Sequence, residues 1–241
     1  MKLNSFLTII PFIFLTSKIS FPQNIQIYCN SGLNLPLSSK YIVSYTDNSI
    51  EFIKSNYGKG FSIKAGGSYF IIENMGVDFN VSYLFSSEKT FKGNIWDTKE
   101  YFKNTNISLN PSLIIQSKIG NLLPYLKFGF SINFVTVDIY EDNLDFPSYE
   151  YSTDYTFGFN ASLGLKIPLN KTLMVMTEAT LSSFTLYADK VIYNWEINGV
   201  RNSKEYDLKT KFGGGGYANL EASRDYPFRF IEINLGIQYC L

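Results

Sequence analysis

Along most of the chain, hydrophobic and polar residues alternate with a period of two. From Phe230 the sequence reads FIEINLGIQYCL, in which Ile231, Ile233, Leu235, Ile237 and Tyr239 alternate with Glu232, Asn234, Gly236 and Gln238. That period places the two sets on opposite faces of a β-strand. The pattern recurs in eight segments, near residues 25–37, 60–73, 76–86, 105–118, 123–138, 154–168, 172–187 and 228–241. Each is long enough to cross a bilayer as a tilted strand, which takes ~9–11 residues. None shows a 3.6-residue period, so no helix is expected after the amino-terminal segment. The last segment is still running at Leu241, and a closed barrel gives it a partner by pairing last strand with first.

The connections alternate as regularly as the strands. Short Asn- or Gly-bearing turns follow the second, fourth and sixth segments: Glu73–Asn74–Met75, Gly120–Asn121–Leu122 and Asn170–Lys171. These residues tolerate positive φ. Long polar stretches follow the first, third, fifth and seventh: 38–59, 87–104, 139–153 and 188–227. Short turns at one end and long loops at the other match the outer-membrane arrangement of periplasmic turns and extracellular loops.

Side-chain parity points the same way. One face carries Leu126, Phe128, Phe130, Ile132 and Phe134, while the other carries Lys127, Ser131 and Asn133. An eight-stranded interior is too narrow to hold five such apolar residues from every strand. Apolar-out and polar-in is the arrangement that a membrane permits. Pro111 falls on the outward face of the fourth segment; it cannot donate to a ladder, so a β-bulge is expected there.

The amino terminus differs from the rest. Met1–Lys2 precedes an apolar run from Phe6 to Leu15 and a more polar exit, 16–20. This describes a secretory signal peptide, taken as residues 1–22, ahead of a barrel domain over 23–241. The run is shorter than the ~20 residues of a membrane-spanning helix, which argues against a signal anchor. Acidic and basic residues balance at 21 each, against a nucleic-acid partner held by net charge. Eighteen Tyr against two Trp suit a membrane interface. Histidine is absent, which removes Ser-His-Asp and Cys-His catalysis, His-ligated metals and imidazole pH switches.

The signal peptide, the terminal strand INLGIQY and the strand–turn–strand SLIIQSKIGNLLPYLKFGFSINF (112–134) resemble the eight-stranded OmpA/OmpX-type outer-membrane barrels. They are more similar still to the outer-membrane β-barrel domain proteins frequent in Bacteroidetes. The resemblance implies an integral outer-membrane protein that meets lipopolysaccharide and the barrel assembly machinery.

Parity places Lys64, Asp78, Lys127, Lys166, Glu178 and Glu232 inside. Buried charges must be paired, so the expectation is an interior salt-bridge network that plugs the barrel. A gated ion path or acid–base site is the sharper alternative, disfavoured because eight strands leave no open channel.

Among the loops, 138–154 contains Asp142, Asp145 and Tyr149 in an acidic, aromatic run without Lys or Arg. It reads as a solvated acidic loop or, without an EF-hand spacing, a Ca²⁺ or cationic-partner site. The longest loop contains Trp195, four successive glycines (213–216) and Tyr217. Ile192, Trp195 and Ile197 suggest that part of it extends its hairpin beyond the membrane. These residues are the candidates for loop binding. Cys29 and Cys240 lie on the first and last strands, but parity points one outward and the other inward, which opposes a disulfide.

The reading is therefore all-β: a monomeric eight-stranded antiparallel up-and-down transmembrane β-barrel, without catalysis, metal or cofactor. Its loops would serve adhesion, contact with an extracellular ligand, or envelope structure. The alternatives are a secretion- or transport-associated barrel resembling the PorT group, and a soluble lipocalin-like carrier.

Overall fold

A computed structural model describes residues 25–37, 40–46, 49–55, 58–86, 89–92, 99–141, 148–197, 200–207 and 225–241. Fourteen strands are present and no helix occurs among these residues: β1 (Ile25–Pro36), β2 (Lys40–Thr46), β3 (Ser49–Ser55), β4 (Gly60–Ile72), β5 (Met75–Ser86), β6 (Lys89–Lys92), β7 (Lys99–Gln116), β8 (Leu123–Glu141), β9 (Ser148–Ser152), β10 (Thr156–Pro168), β11 (Leu173–Tyr187), β12 (Lys190–Ile197), β13 (Val200–Asp207) and β14 (Asp225–Cys240). Eight of them close a barrel in the order β1–β4–β5–β7–β8–β10–β11–β14, with β14 returning to β1. Every neighbouring pair is antiparallel, as tight turns and long loops in alternation require.

The eight sequence-predicted segments coincide with these wall strands. Their large apolar residues face outward and form a continuous exposed belt that includes Phe130 at 70% and Phe157 at 67% exposure. Only a hydrocarbon solvent makes that arrangement favourable. The turns are built as their residues dictate. Gly120 has φ +61°, and Ile119 and Leu122 exchange backbone hydrogen bonds of 2.9 and 3.0 Å across it. The Asn170 side chain accepts from the backbone N–H groups of Thr172 and Leu173 at 2.9 and 2.8 Å.

The structure corrects four expectations. The bulge expected at Pro111 is absent: the β7–β8 ladder passes from Leu109↔Ile132 to Ser112↔Gly129 without changing register, skipping Asn110 and Pro111. The skipped stretch is covered from inside, where the Asn160 amide donates to the Phe130 carbonyl at 2.9 Å. Phe130 is the residue this register sets opposite Pro111. A register shift occurs instead at the β4–β5 turn, between Phe70 and Ile72.

Second, the interior is not polar throughout. Toward the turns it is packed with Tyr28, Phe70, Ile114, Tyr125 and Met176. Toward the loops a larger cluster includes Val135, Val137, Phe184, Leu186, Phe228 and Phe230. The rings of Phe184 and Phe228 stack there at 4.8 Å. Polar side chains fill the layer between, and at the turn end Gln26, Lys166 and Gln238 join the apolar cluster as a hydrogen-bonded group.

Third, part of the long connections is regular sheet. β9 pairs with the end of β8, β12 with β9, and β13 with β12, so the wall continues on the loop side as a separate arm. The hairpin of β11 and β14 ends at Tyr187↔Asp225, and β12 leaves it rather than extending it. Fourth, residues 138–154 are not one solvated loop, because Ser148–Ser152 is that β9 strand.

The β1–β14 register pairs Cys29 with Ile237 and Gln26 with Cys240, and both cysteines are free thiols. β2 and β3 form a separate two-stranded sheet.

Candidate functional site

Five of the six interior charges converge on one continuous chain of contacts at the centre of the barrel. Lys64 on β4 lies 3.0 Å from Glu232 on β14 and 3.2 Å from Glu178 on β11. Lys127 on β8 lies 3.1 Å from the other oxygen of Glu178 and 3.2 Å from Asp78 on β5. Glu178 therefore bridges both lysines. All five groups are almost wholly buried, and Asp78, Lys127, Glu178 and Glu232 have hydrogen bonds beyond the ion pairs, the condition under which buried charge is tolerated.

Those further bonds come from residues that the sequence reading did not single out. The Tyr28 hydroxyl donates to Asp78 at 2.8 Å and accepts from Lys127 at 3.1 Å. Tyr125 donates to Glu178 at 3.0 Å, Ser68 to Asp78 at 2.5 Å, and Thr180 to Glu178 at 3.0 Å. Ser62 donates to Glu232 through a short contact. Parity alone could have found the two tyrosines: Tyr28 lies two residues before inward Asn30, and Tyr125 two before Lys127.

Lys166 stands apart from this chain. Its ammonium donates to Gln26 at 2.7 Å, and Gln238 donates to the same oxygen at 2.8 Å. The rings of Tyr125 and Phe70 lie 4.8 and 5.5 Å from the ammonium. Cation–π contact and one amide oxygen thus take the place of a carboxylate.

Above the ion pairs lies a polar chamber of about 30 Å³, lined by Asn80, Asn106, Asn110, Asn133 and Asn160 among others. It has room for on the order of one or two waters. The carboxylates of this arrangement are committed to lysine, tyrosine and hydroxyl partners.

Of the loop candidates, Asp142, Asp145 and Tyr217 lie outside the described residues. Tyr149 and Trp195 fall in the loop-side arm, where Tyr149 pairs across the ladders with Ile139 and Tyr193. The half-buried Trp195 ring lies 5.1 Å from that of Tyr193. Two acids of the acidic run have cationic neighbours from elsewhere in the chain. Asp154 pairs with the exposed Lys190 at 2.8 Å, and that hydrogen bond raises the Lys190 pKa. Asp138 sits opposite Lys103 on β7 and Glu150 on β9. Burial, and then the Glu150 charge, hold its carboxyl above the ordinary carboxylate range, against a smaller lowering by Lys103. Among the described residues no three acidic, Cys or His side chains cluster as a metal site.

The chain can be compared with known proteins on this geometry. A family model described as "Outer membrane protein beta-barrel domain" matches residues 36–198. No curated protein matches the chain. Among solved structures, a major outer membrane protein from Thermus thermophilus is 15% identical, with a TM-score of 0.56 over 90% of this chain and 99% of that one. Neisserial surface protein A is 10% identical, with a TM-score of 0.48 over 90% and 97%. OprG from Pseudomonas aeruginosa is 12% identical, with a TM-score of 0.47 over 91% and 97%. The Thermus likeness shows a shared fold. With the family model spanning more than half of a chain that closes an eight-stranded barrel inside an apolar belt, the protein belongs to the outer membrane protein β-barrel domain family and resides in the outer membrane.

Proposed function

We propose that this protein is a non-catalytic, non-conducting outer-membrane barrel that works through its loop end, presented outside the cell as a binding surface. The observation that carries the proposal is the contrast between the two parts of the molecule. The interior is packed at both ends and locked by ion pairs in the middle. The loop end, by contrast, carries a sheet arm continuous with the wall, with Tyr149, Tyr193 and Trp195 on it. Rigid scaffolds that carry their chemistry on loops are suited to recognition. A hydrolase or acyltransferase needs a substrate-accessible acid or nucleophile. Here the central carboxylates are buried, and no histidine is available.

Surface proteolysis of intact cells, followed by electrophoresis of the outer membrane boiled and unboiled, tests the orientation. Cleavage within 188–227 with a retained heat-dependent shift supports the proposal; protection of that stretch on intact cells refutes it. Cells displaying the chain, but not a variant shortened in 188–227, should bind a host-matrix or glycan array. Equal binding by both would move the function away from the loops.

A further inference from the structure

The outer wall carries a furrow of about 690 Å³ on its turn-side half, crossing β1, β4, β5, β7 and β8. We propose that it is a specific binding site for one acyl chain of a membrane phospholipid, taken from the leaflet on the turn side. The furrow follows from one cross-strand row. Ile27 pairs with Gly67, Gly67 with Phe79, and Phe79 with Pro111, and the β7–β8 register then sets Phe130 opposite Pro111. Large and small residues alternate along this row, so Gly67 and Pro111 form a floor between taller walls. The next outward row toward the turns, with Tyr69, Leu113 and Phe128, bounds it below.

The lining is almost wholly apolar and its volume lies in the range of ligand clefts, about 300–1,000 Å³. It is continuous with the exposed apolar belt that already faces lipid, so hydrocarbon is the solvent that reaches it. An extended acyl chain fits a shallow trench, because it buries area without needing a polar partner. In the two turns beneath the furrow, Lys118 and Glu73 are exposed and offer one charge of each sign to a headgroup phosphate and amine. A Cβ at Gly67 would approach Gln26 O at 3.2 Å and Ile27 Cγ2 at 3.7 Å, so a side chain there asks the Gln26 carbonyl to shift by a few tenths of an ångström and would fill the trench.

The test is purification of wild type, Gly67→Phe and Pro111→Leu in one detergent, followed by native mass spectrometry and lipid extraction. Wild type should retain a single phospholipid per chain, and each variant should lower its occupancy about tenfold or more, while all three keep the heat-dependent mobility shift. Equal retention by all three, no retained phospholipid on wild type, or an adduct that is lipid A or a second copy of the chain would overturn the proposal. Should Gly67→Phe fail to assemble, Pro111→Leu decides the matter, since it restores a donor to the ladder while filling the same floor.

Discussion

The ring of Tyr125 on β8 lies against the backbone of Gly164, its cross-strand partner on β10, leaving no space for a Cβ at that glycine. This close approach carries the Tyr125 hydroxyl to Glu178. Gly164→Ala should push the ring aside and weaken that bond, costing roughly 1–3 kcal/mol as an overpacking change. The urea midpoint of the boiled-versus-unboiled shift would read it, with Tyr125→Phe as the control that loses only the hydroxyl.

Glu178 bridges both central lysines, so its charge matters more than that of either neighbour. Glu178→Gln is expected to destabilise by about 3–5 kcal/mol, the cost of leaving buried charge unpaired. Glu232→Gln should cost less, because Lys64 keeps Glu178. Replacing Lys64 and Glu232 together with Met should recover part of the Lys64→Met loss. A double-mutant cycle in urea returning no coupling would show that these groups do not act as a pair.

Asp138 gives the loop-side arm a pH dependence of definite sign. Its carboxyl is held above the ordinary range, first by burial and then by Glu150, so the folded arm binds that proton more tightly than the unfolded chain does. The stability contributed is complete below the ordinary carboxylate range and is lost as pH rises through the raised value. The paired stretches 136–139 and 149–152 should therefore resist protease better at mildly acidic than at neutral pH, and Asp138→Asn should flatten the difference. Protection that increases with pH in the wild-type chain would contradict this.

Packed ends imply electrical silence. Purified protein in a planar bilayer should show no stable conductance steps, and Phe184→Ala with Phe228→Ala should leave it silent, because Tyr28, Phe70, Ile114 and the ion pairs still close the turn side. Discrete steps from the wild-type chain would refute the non-conducting reading.

Period-two alternation made the wall strands legible, because lipid outside and a filled interior demand opposite chemistry at successive residues. It also placed Lys64, Asp78, Lys127, Lys166, Glu178 and Glu232 on one face. Parity could not say which of these meet. Lys166 and Lys127 share a face, yet only Lys127 reaches carboxylates, because strand stagger puts Gln26 and Gln238 beside Lys166. The apolar interior caps were obscured because Phe70, Ile114 and Phe228 look like lipid-facing residues wherever parity is not followed to a strand's end. The Pro111 expectation failed because a missing donor can be covered by a side chain from another strand, here Asn160, which no local pattern encodes. The loop-side arm depends on pairing between β9 and β12, far apart in sequence, to which alternation within either gives no guide.

β7 and β8 run for 18 and 19 residues, well beyond the ~9–11 that a bilayer crossing uses. At ~3.4 Å per residue and a tilt near ~40°, β8 rises on the order of 45–50 Å along the barrel axis, against an apolar band about 25 Å tall. The difference is a pedestal. It fixes how far the tip stands from the lipid head groups, and the height is set by hydrogen-bonded wall rather than by slack chain. On the proposed orientation, a partner would meet the loop-side arm at a fixed distance from the membrane surface, set by the wall's overhang.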